Sequence, residues 1–457
     1  MRRPRFTPLL AAAVLGVYLL VVVGATAALA DAAAACNGWP VCGGDLSNPS
    51  VLVALGHRAV AAVVGLLVVA AAVVGWSSAT RRVKLALGAA LVLYPAQVGV
   101  GALVAVSGGF EGLHLVTAMT IFAALVVALA WHLEAETGTD DRPETAPEPP
   151  QPDEPIAPAF ASASAPSSTG VARAKAVVGA YFQLMKPRLM WLLCLVAGAG
   201  MVLAGTPSIG TVVATLGGGV LAIGASGTFN HVLERDVDRR MQRTADRPIA
   251  THEVPVRNAL AFGGVLTVAS LAAFLSVNLL VAALGLAAIV FYSVVYTLIL
   301  KPNTVQNTVL GGAAGALPAL IGYAAVAETV GLVGLVLAGV IFLWTPAHFY
   351  NLALAYRDDY ERGGFPMMPV VRGATETRKH ILWYLGATLL GAGVLAALAD
   401  LGWLYGAVTV ALGGVFLWAV VVLHREQTES AAFRAFHASN AYLGLLLVAI
   451  VVDGLAI

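Results

Sequence analysis

The chain has 457 residues, 59% of them hydrophobic and 11% charged, with a mean hydropathy of +0.85. Soluble proteins carry about 25% charged residues, so a water-soluble globular fold is excluded and the lipid bilayer is the expected solvent. The formal net charge of +1 says nothing about partners, because the signs are segregated by topology, and no nucleic-acid partner is expected; three cysteines exclude a disulfide-rich scaffold while permitting one bridge.

Apolar runs of spanning length open the chain at Leu9–Ala30, Val51–Trp76, Leu85–Val106 and Leu113–Trp131. Each approaches the ~20 residues that a helix needs to cross the hydrocarbon core. Arg2, Arg3 and Arg5 precede the first run as they would in a signal peptide. That run is long for such a segment and more membrane helices follow, so it is read as a retained helix. Cys36 and Cys42 fall in the first outer loop, where thiols oxidise. His57, followed by Arg58, opens the second run and His114 opens the fourth, both on the outer side. Two histidines at one depth make a candidate bis-imidazole pair for haem iron. A single histidine at a membrane edge is more often a packing residue.

From Glu134 to about Gly170 the composition changes to Glu, Asp, Pro, Ala and Ser, with Phe160 the one aromatic. Such a stretch cannot bury enough apolar surface to fold and reads as a disordered, solvated linker. The expected organisation is a four-helix unit at 1–133, a linker at 134–170 and a nine-helix unit at 171–457. Spans of the last unit are Leu189–Ala204, Thr211–Thr228, Ala259–Leu279, Val281–Leu300, Val305–Ala327, Val330–Phe349, Ile381–Ala399, Leu401–Leu423 and Tyr442–Ile457. The class is therefore all-α and polytopic, since barrel strands would be ~10 residues of alternating polarity.

Basic residues orient this bundle. Arg2, Arg3, Arg5, Arg81, Arg82, Lys84, Lys301, Arg357, Arg362, Arg372, Arg378 and Lys379 fall on the inner side of thirteen spans, with Arg58 the exception. A cytoplasmic N-terminus in a cell membrane and an outer C-terminus follow.

The chemistry-bearing stretch is Asn230 to Pro248, at an inner helix end. Asn230, Glu234 and Asp238 are spaced i, i+4, i+8 and share one helical face. Oxygen ligands so stacked suit Mg²⁺, which is usually held by one or two carboxylates together with substrate phosphates. Arg243 and Arg247 follow and can grip the same phosphates. A second polar cluster, Trp344 to Tyr360 followed by Gly364 to Pro369, contains His348 and Asp359 and falls on the same side. Tyr296 to Pro302, with Lys301, and Gln306-Asn307-Thr308 form a third candidate wall. Isolated Arg or Asp residues at helix ends are commonly interfacial anchors, but an acid–arginine–acid sequence of this density reads as a diphosphate site.

Residues from about Gln183 to the end resemble the UbiA superfamily of intramembrane prenyltransferases, and within it the haem O synthase (protohaem IX farnesyltransferase) family. Lys186-Pro187-Arg188, Asn230 to Pro248, Gln306-Asn307-Thr308 with Gly311-Gly312, Trp344-Thr345-Pro346 with His348, Asp359-Tyr360 and Pro366 to Pro369 carry the match. That family usually has Asp where this chain has Glu234, which keeps the carboxylate on one more methylene. The resemblance implies farnesyl diphosphate and haem B as substrates, haem O as product and Mg²⁺ as cofactor. It implies catalytic roles for Asn230, Glu234, Asp238 and Asp359, and phosphate contacts from Lys186, Arg188, Arg243, Arg247 and Lys301. His348 is a candidate on the haem side. Another prenyl acceptor such as a quinone ring, or a non-catalytic membrane haem carrier, are the alternative readings.

Residues 8–133 resemble one half of the haem A synthase family through Ala35 to Gly44, His57-Arg58, Gln97 with Gly99 and Gly101, and His114-Leu115. Members have two such halves and a Glu shortly before the first His, where this chain reads Val51 to Gly56. The resemblance implies haem binding or hand-over by this unit, with a haem A synthase or a second copy of the unit as partner.

Overall fold

A backbone in hydrocarbon has no hydrogen-bond partner but itself, so long apolar runs become helices. The computed structural model describes residues 6–29, 32, 35–36, 38–107, 109–141 and 170–456. In chain order the helices are α1 (Phe6–Leu29), α2 (Pro49–Trp76), α3 (Arg81–Ser107), α4 (Glu111–Thr137), α5 (Gly170–Leu184), α6 (Pro187–Ala204), α7 (Ile209–Leu233), α8 (Arg235–Asp238), α9 (Val256–Leu275) and α10 (Leu279–Val290). A π-helical stretch, Phe291–Leu300, carries α10 into the short α11 (Lys301–Asn303). There follow α12 (Asn307–Ala327), α13 (Leu332–Ala355), α14 (Arg357–Arg362), α15 (Met368–Val371), α16 (Gly373–Leu398), α17 (Trp403–Glu426) and α18 (Glu429–Ala456). Among the described residues there is no strand, and thirteen of these segments are long and apolar enough to cross a membrane. The protein is a multi-pass, all-α membrane protein.

Polar side chains start several spans where the free N–H groups of a helix need acceptors. Asn48 accepts from Ser50 N at 3.0 Å, Ser208 from Thr211 N at 3.1 Å and Asn278 from Val281 N at 2.8 Å.

Packing divides the chain into two units, and the division differs from the one expected from composition. The first contains Met1–Asp140, Pro346–Asn351 and Thr375–Ile457; the second contains Asp141–Thr345 and Leu352–Ala374. Helices α16–α18 thus belong with α1–α4. In the first unit the Tyr18 hydroxyl lies 2.9 Å from Thr409 Oγ1, which lies 3.3 Å from the Tyr442 hydroxyl, all buried. Lys379 donates to Glu134 Oε1 at 2.7 Å. A solvated linker marks where the chain leaves the membrane, not which helices later pack together. Its expected start is also displaced, because Glu134 to Thr137 complete α4, and residues 142–169 lie outside the described residues.

In the second unit α6 and α12 approach until their backbones touch. A Cβ at Gly322 would stand 1.9 Å from the Ala197 carbonyl oxygen, so only glycine fits there. Phe274, Met201 and Ile321 fill the core behind this crossing.

Candidate active site

The apolar helix α7 ends at Leu233, and Glu234 forms a joint with φ −96° and ψ 2° before α8. Hydrogen bonds of the i→i+4 type run through the joint, from Glu234 N to Asn230 O at 2.9 Å and from Asp238 N to Glu234 O at 2.7 Å. Asn230, Glu234 and Asp238 therefore stay on one face, as their spacing requires, and all three are buried.

Burying carboxylates demands cations. Lys301 donates to Glu234 Oε1 at 2.5 Å, and Arg247 Nη1 reaches both Asp238 oxygens at 2.8 Å. The same Arg247 nitrogen lies 3.9 Å from Glu234 Oε2. Lys186 donates to Asn230 Oδ1 and, at 3.1 Å, to the Tyr292 hydroxyl. Burial raises the Glu234 carboxyl, but Lys301, Lys186 and Arg247 outweigh it and hold the group below its usual range. Burial wins at Asp238, which stays above its usual range despite Arg247. Burial, followed by repulsion from Arg247, pushes Lys186 down to about 7, against the attraction of Glu234 and Asp238.

The donor set is two carboxylates and one amide oxygen. Among the described residues no group of three His, Cys, Asp or Glu forms a metal cage. Mg²⁺ fits such a partial shell when phosphate oxygens complete it.

The π-helical stretch builds the facing wall. Winding with i→i+5 periodicity brings Tyr292, Thr297 and Lys301 to one side. Thr297 Oγ1 donates to the Tyr292 carbonyl at 2.8 Å and accepts from Asn230 Nδ2 at 3.2 Å. Lys301 lies over the Phe365 ring, 4.2 Å from its centroid. Thr297 and Phe365 fall within the stretches Tyr296 to Pro302 and Gly364 to Pro369 singled out in the sequence; Tyr292 was not legible as a site residue, because a five-residue spacing is not a face of an α-helix.

Other expected residues take different positions. The Asp359 carboxylate accepts from Gln242 N at 2.7 Å, Arg243 N at 3.2 Å and Arg362 Nη2 at 2.7 Å, and so clasps the loop after α8. Arg243 stands over the rings of Tyr356 and Tyr360, at 5.5 and 5.8 Å. Arg188 is exposed and forms none of these ion pairs. Asn307 and Thr308 are buried and bonded to each other at 3.0 Å. His348 belongs to the first unit, where Nδ1 meets Ser439 Oγ at 2.7 Å and the ring stacks on Phe436 at 4.4 Å.

Beside Lys186 and Tyr292 an apolar cavity opens between α6, α7 and α12, lined by Cys194, Leu216, Ala222, Phe274 and Ile321. Its free space, open solvent at the mouth included, is about 740 Å³. A cationic mouth on an apolar, chain-shaped cavity receives an amphiphile with an anionic head.

The family profile of the UbiA prenyltransferase family matches residues 191–445, more than half of the sequence. The chain belongs to this family. A relative named protoheme IX farnesyltransferase 1, from Natronomonas pharaonis, is 76% identical over 459 residues, covering 100% of both chains. Another named protoheme IX farnesyltransferase, from Haloarcula marismortui, is 66% identical over 459 residues and covers 99% of each. Since the alignments span nearly the whole chain, the N-terminal helices are common to these relatives. Among solved structures, one of a digeranylgeranylglyceryl phosphate synthase superposes with a TM-score of 0.52 at 13% identity, covering 62% of this chain and 100% of that one. This last likeness shows that the UbiA fold is shared.

The first unit contains the other expected cluster. Cys36 and Cys42 form a disulfide, and Arg58 donates to the carbonyls of Gly38 and Pro40 in the enclosed loop at 3.1 and 3.0 Å. His57 belongs to α2 and His114 to α4 of this unit. Their Nδ1 atoms are buried without a hydrogen-bond partner among the described residues. Gln97 Nε2 donates to the His114 carbonyl at 2.8 Å, and a Cβ at Gly101 would come within 2.9 Å of the His114 ring.

Proposed function

We propose that this protein is a haem O synthase, transferring the farnesyl group of farnesyl diphosphate to a vinyl group of haem B. The observation that carries the reading is the cluster of Lys186, Lys301 and Arg247 around Glu234 and Asp238 at the mouth of an apolar cavity. The names of full-length relatives at 66% and 76% identity support the haem acceptor.

Asn230, Glu234 and Asp238 are the residues that would hold Mg²⁺ against the diphosphate. When bound there, the metal neutralises charge growing on the leaving group. Lys301 and Arg247, which compensate the carboxylates, would also offer donors to the phosphate oxygens. Lys186 and Arg243 supply further positive charge along the same edge. The allylic C–O bond breaks, diphosphate leaves, and the terminal vinyl carbon of haem bonds to C1 of the farnesyl cation. Water adds to the resulting cation and loses a proton, giving the hydroxyethylfarnesyl side chain. Buried walls around the cavity keep water from the farnesyl cation before the vinyl group reaches it. Asp359 acts here as a positioning residue, through the backbone of Gln242 and Arg243.

The basic-residue pattern supports a cytoplasmic site in the cell membrane, with the N-terminus on the same side. The paired His57 and His114, with their unpartnered nitrogens, support haem binding by the first unit, with His348 as a further haem-side candidate. Haem A synthase or a second copy of this chain are the partners that such a unit would serve.

Purified protein with haem B, farnesyl diphosphate and Mg²⁺ is expected to yield haem O, detected by mass and absorbance. Prenylation of a quinone ring in preference to haem would replace this reading with the other acceptor. No transfer to either, with haem still bound, would leave a haem carrier.

A further inference from the structure

The cavity behind the diphosphate site has a defined floor. Gly227 stands at its mouth, where a Cβ would meet Lys186 Cγ at 3.2 Å, and Thr215 lines its far end. At roughly 1.5 Å of rise per residue, α7 runs about 13.5 Å from Gly227 back to Gly218, where Phe274 packs, and about 18 Å back to Thr215. A twelve-carbon farnesyl backbone with C–C bonds of about 1.5 Å extends roughly 15 Å. A geranylgeranyl chain is four backbone carbons longer.

Phe274 from α9 lines the cavity beside Gly218, one turn of α7 short of Thr215. Its side chain is fully buried and wedged between two glycines. A Cβ on Gly218 would stand 2.7 Å from one ring edge, and a Cβ on Gly285 would stand 2.3 Å from the other. Ser270 donates to the Gly218 carbonyl at 2.8 Å and fixes α9 against α7 at this level. The ring therefore has no alternative rotamer into which to retreat when a longer chain arrives.

We infer that Phe274 is the residue that sets the prenyl length accepted by this site, admitting farnesyl and stopping geranylgeranyl. This rests on the prenyl-transfer reading above. Gly219 gives the complementary handle. It lines the same cavity, and a Cβ there meets nothing within 4 Å. A larger side chain at Gly219 enters the cavity and shortens it without displacing a neighbour. Gly217 is equally open but lies outside the lining and is exposed.

The test offers the purified protein an equimolar mixture of geranyl, farnesyl and geranylgeranyl diphosphates with haem B and Mg²⁺, and reads the products by mass. Binding of each diphosphate is measured separately by calorimetry. Phe274→Ala is expected to raise the geranylgeranyl-to-farnesyl ratio at least tenfold, and Phe274→Leu to raise it less. Gly219→Leu is expected to move the ratio toward geranyl at least tenfold, and Gly217→Leu to leave it unchanged. If Phe274→Ala fails to insert, Phe274→Leu and Gly219→Leu carry the test. Wild-type ratios in both would overturn the assignment. If the wild type prenylates no haem with any donor, the functional reading fails. The calorimetric order of the three chains, and its reversal in the variants, still decides whether Phe274 is the floor.

Discussion

Arg247 reaches both carboxylate oxygens of Asp238 with a single nitrogen, at 2.8 Å each, in a buried setting. In the proposed function the pair joins a residue that would hold Mg²⁺ to one that would contact the diphosphate. Asp238→Asn keeps the shape but removes the charge. Its expected effect is a loss of transfer of at least 10²-fold, the size seen when one transition-state charge stabiliser is lost, with membrane insertion unchanged. Haem O formation at the wild-type rate would remove Asp238 from the diphosphate site.

Glu234 sits 2.5 Å from Lys301. Glu234→Asp shortens the arm by one methylene and keeps the charge, so transfer within about tenfold of wild type is expected, an allowance of ~1.4 kcal/mol. Glu234→Gln, which leaves Lys301 without its buried counter-charge, is expected to fall at least 10²-fold. Equal activities of the two variants would show that the carboxylate has no role.

Lys186 gives the site a pH signature. With its pKa pushed down to about 7, it is mostly protonated at pH 6 and mostly neutral at pH 8. A bound diphosphate favours the ammonium form and raises that pKa. Binding at pH 8 therefore takes up a proton, whereas binding at pH 6 takes up little. Apparent affinity should fall about tenfold per pH unit above 7, until the pKa of the bound state is reached. Calorimetry at fixed Mg²⁺ in buffers of different ionisation heat measures the uptake. Lys186→Arg, which stays charged, should abolish it; uptake that persists unchanged would assign the proton elsewhere.

Asp359 acts through the loop that it clasps. Asp359→Asn loses charge-assisted bonds of about 1.5–3 kcal/mol and loosens the backbone that carries Arg243. The expected result is a KM for farnesyl diphosphate raised tenfold or more, with kcat within a few-fold. A collapse of kcat at unchanged KM would instead make Asp359 a ligand of the metal.

The outer histidines give a spectroscopic prediction. Protein purified with haem should show a low-spin absorbance spectrum, weakened in His57→Ala and in His114→Ala because each removes one axial imidazole. Wild-type spectra in both variants would leave the first unit without a haem role.

The thirteen spans and the acidic face of α7 and α8 were legible in the sequence, since length, hydropathy and an i, i+4, i+8 spacing survive folding unchanged. Tyr292 was not, because π-winding shifts a face by one residue per turn and leaves no composition mark. The clasp at Asp359 was hidden for another reason. An acidic residue looks the same in sequence whether it meets a metal or two backbone amides. Nor did the linker reveal that α16–α18 pack with α1–α4. Contacts such as Tyr18 with Thr409 join residues at opposite ends of the chain, and no local pattern encodes them.

That last pairing constrains how the protein is made. Helix α1 emerges from the ribosome first, while α17 and α18 emerge last. At roughly 5–20 residues per second, the Tyr18 hydroxyl waits from about twenty seconds to more than a minute for Thr409 and Tyr442. Each span is stable in lipid by itself, so the early helices can wait, but the first unit closes only at the end of translation. A chain stopped before α17 would carry all the residues of the proposed diphosphate site and still leave Tyr18 of α1 without Thr409.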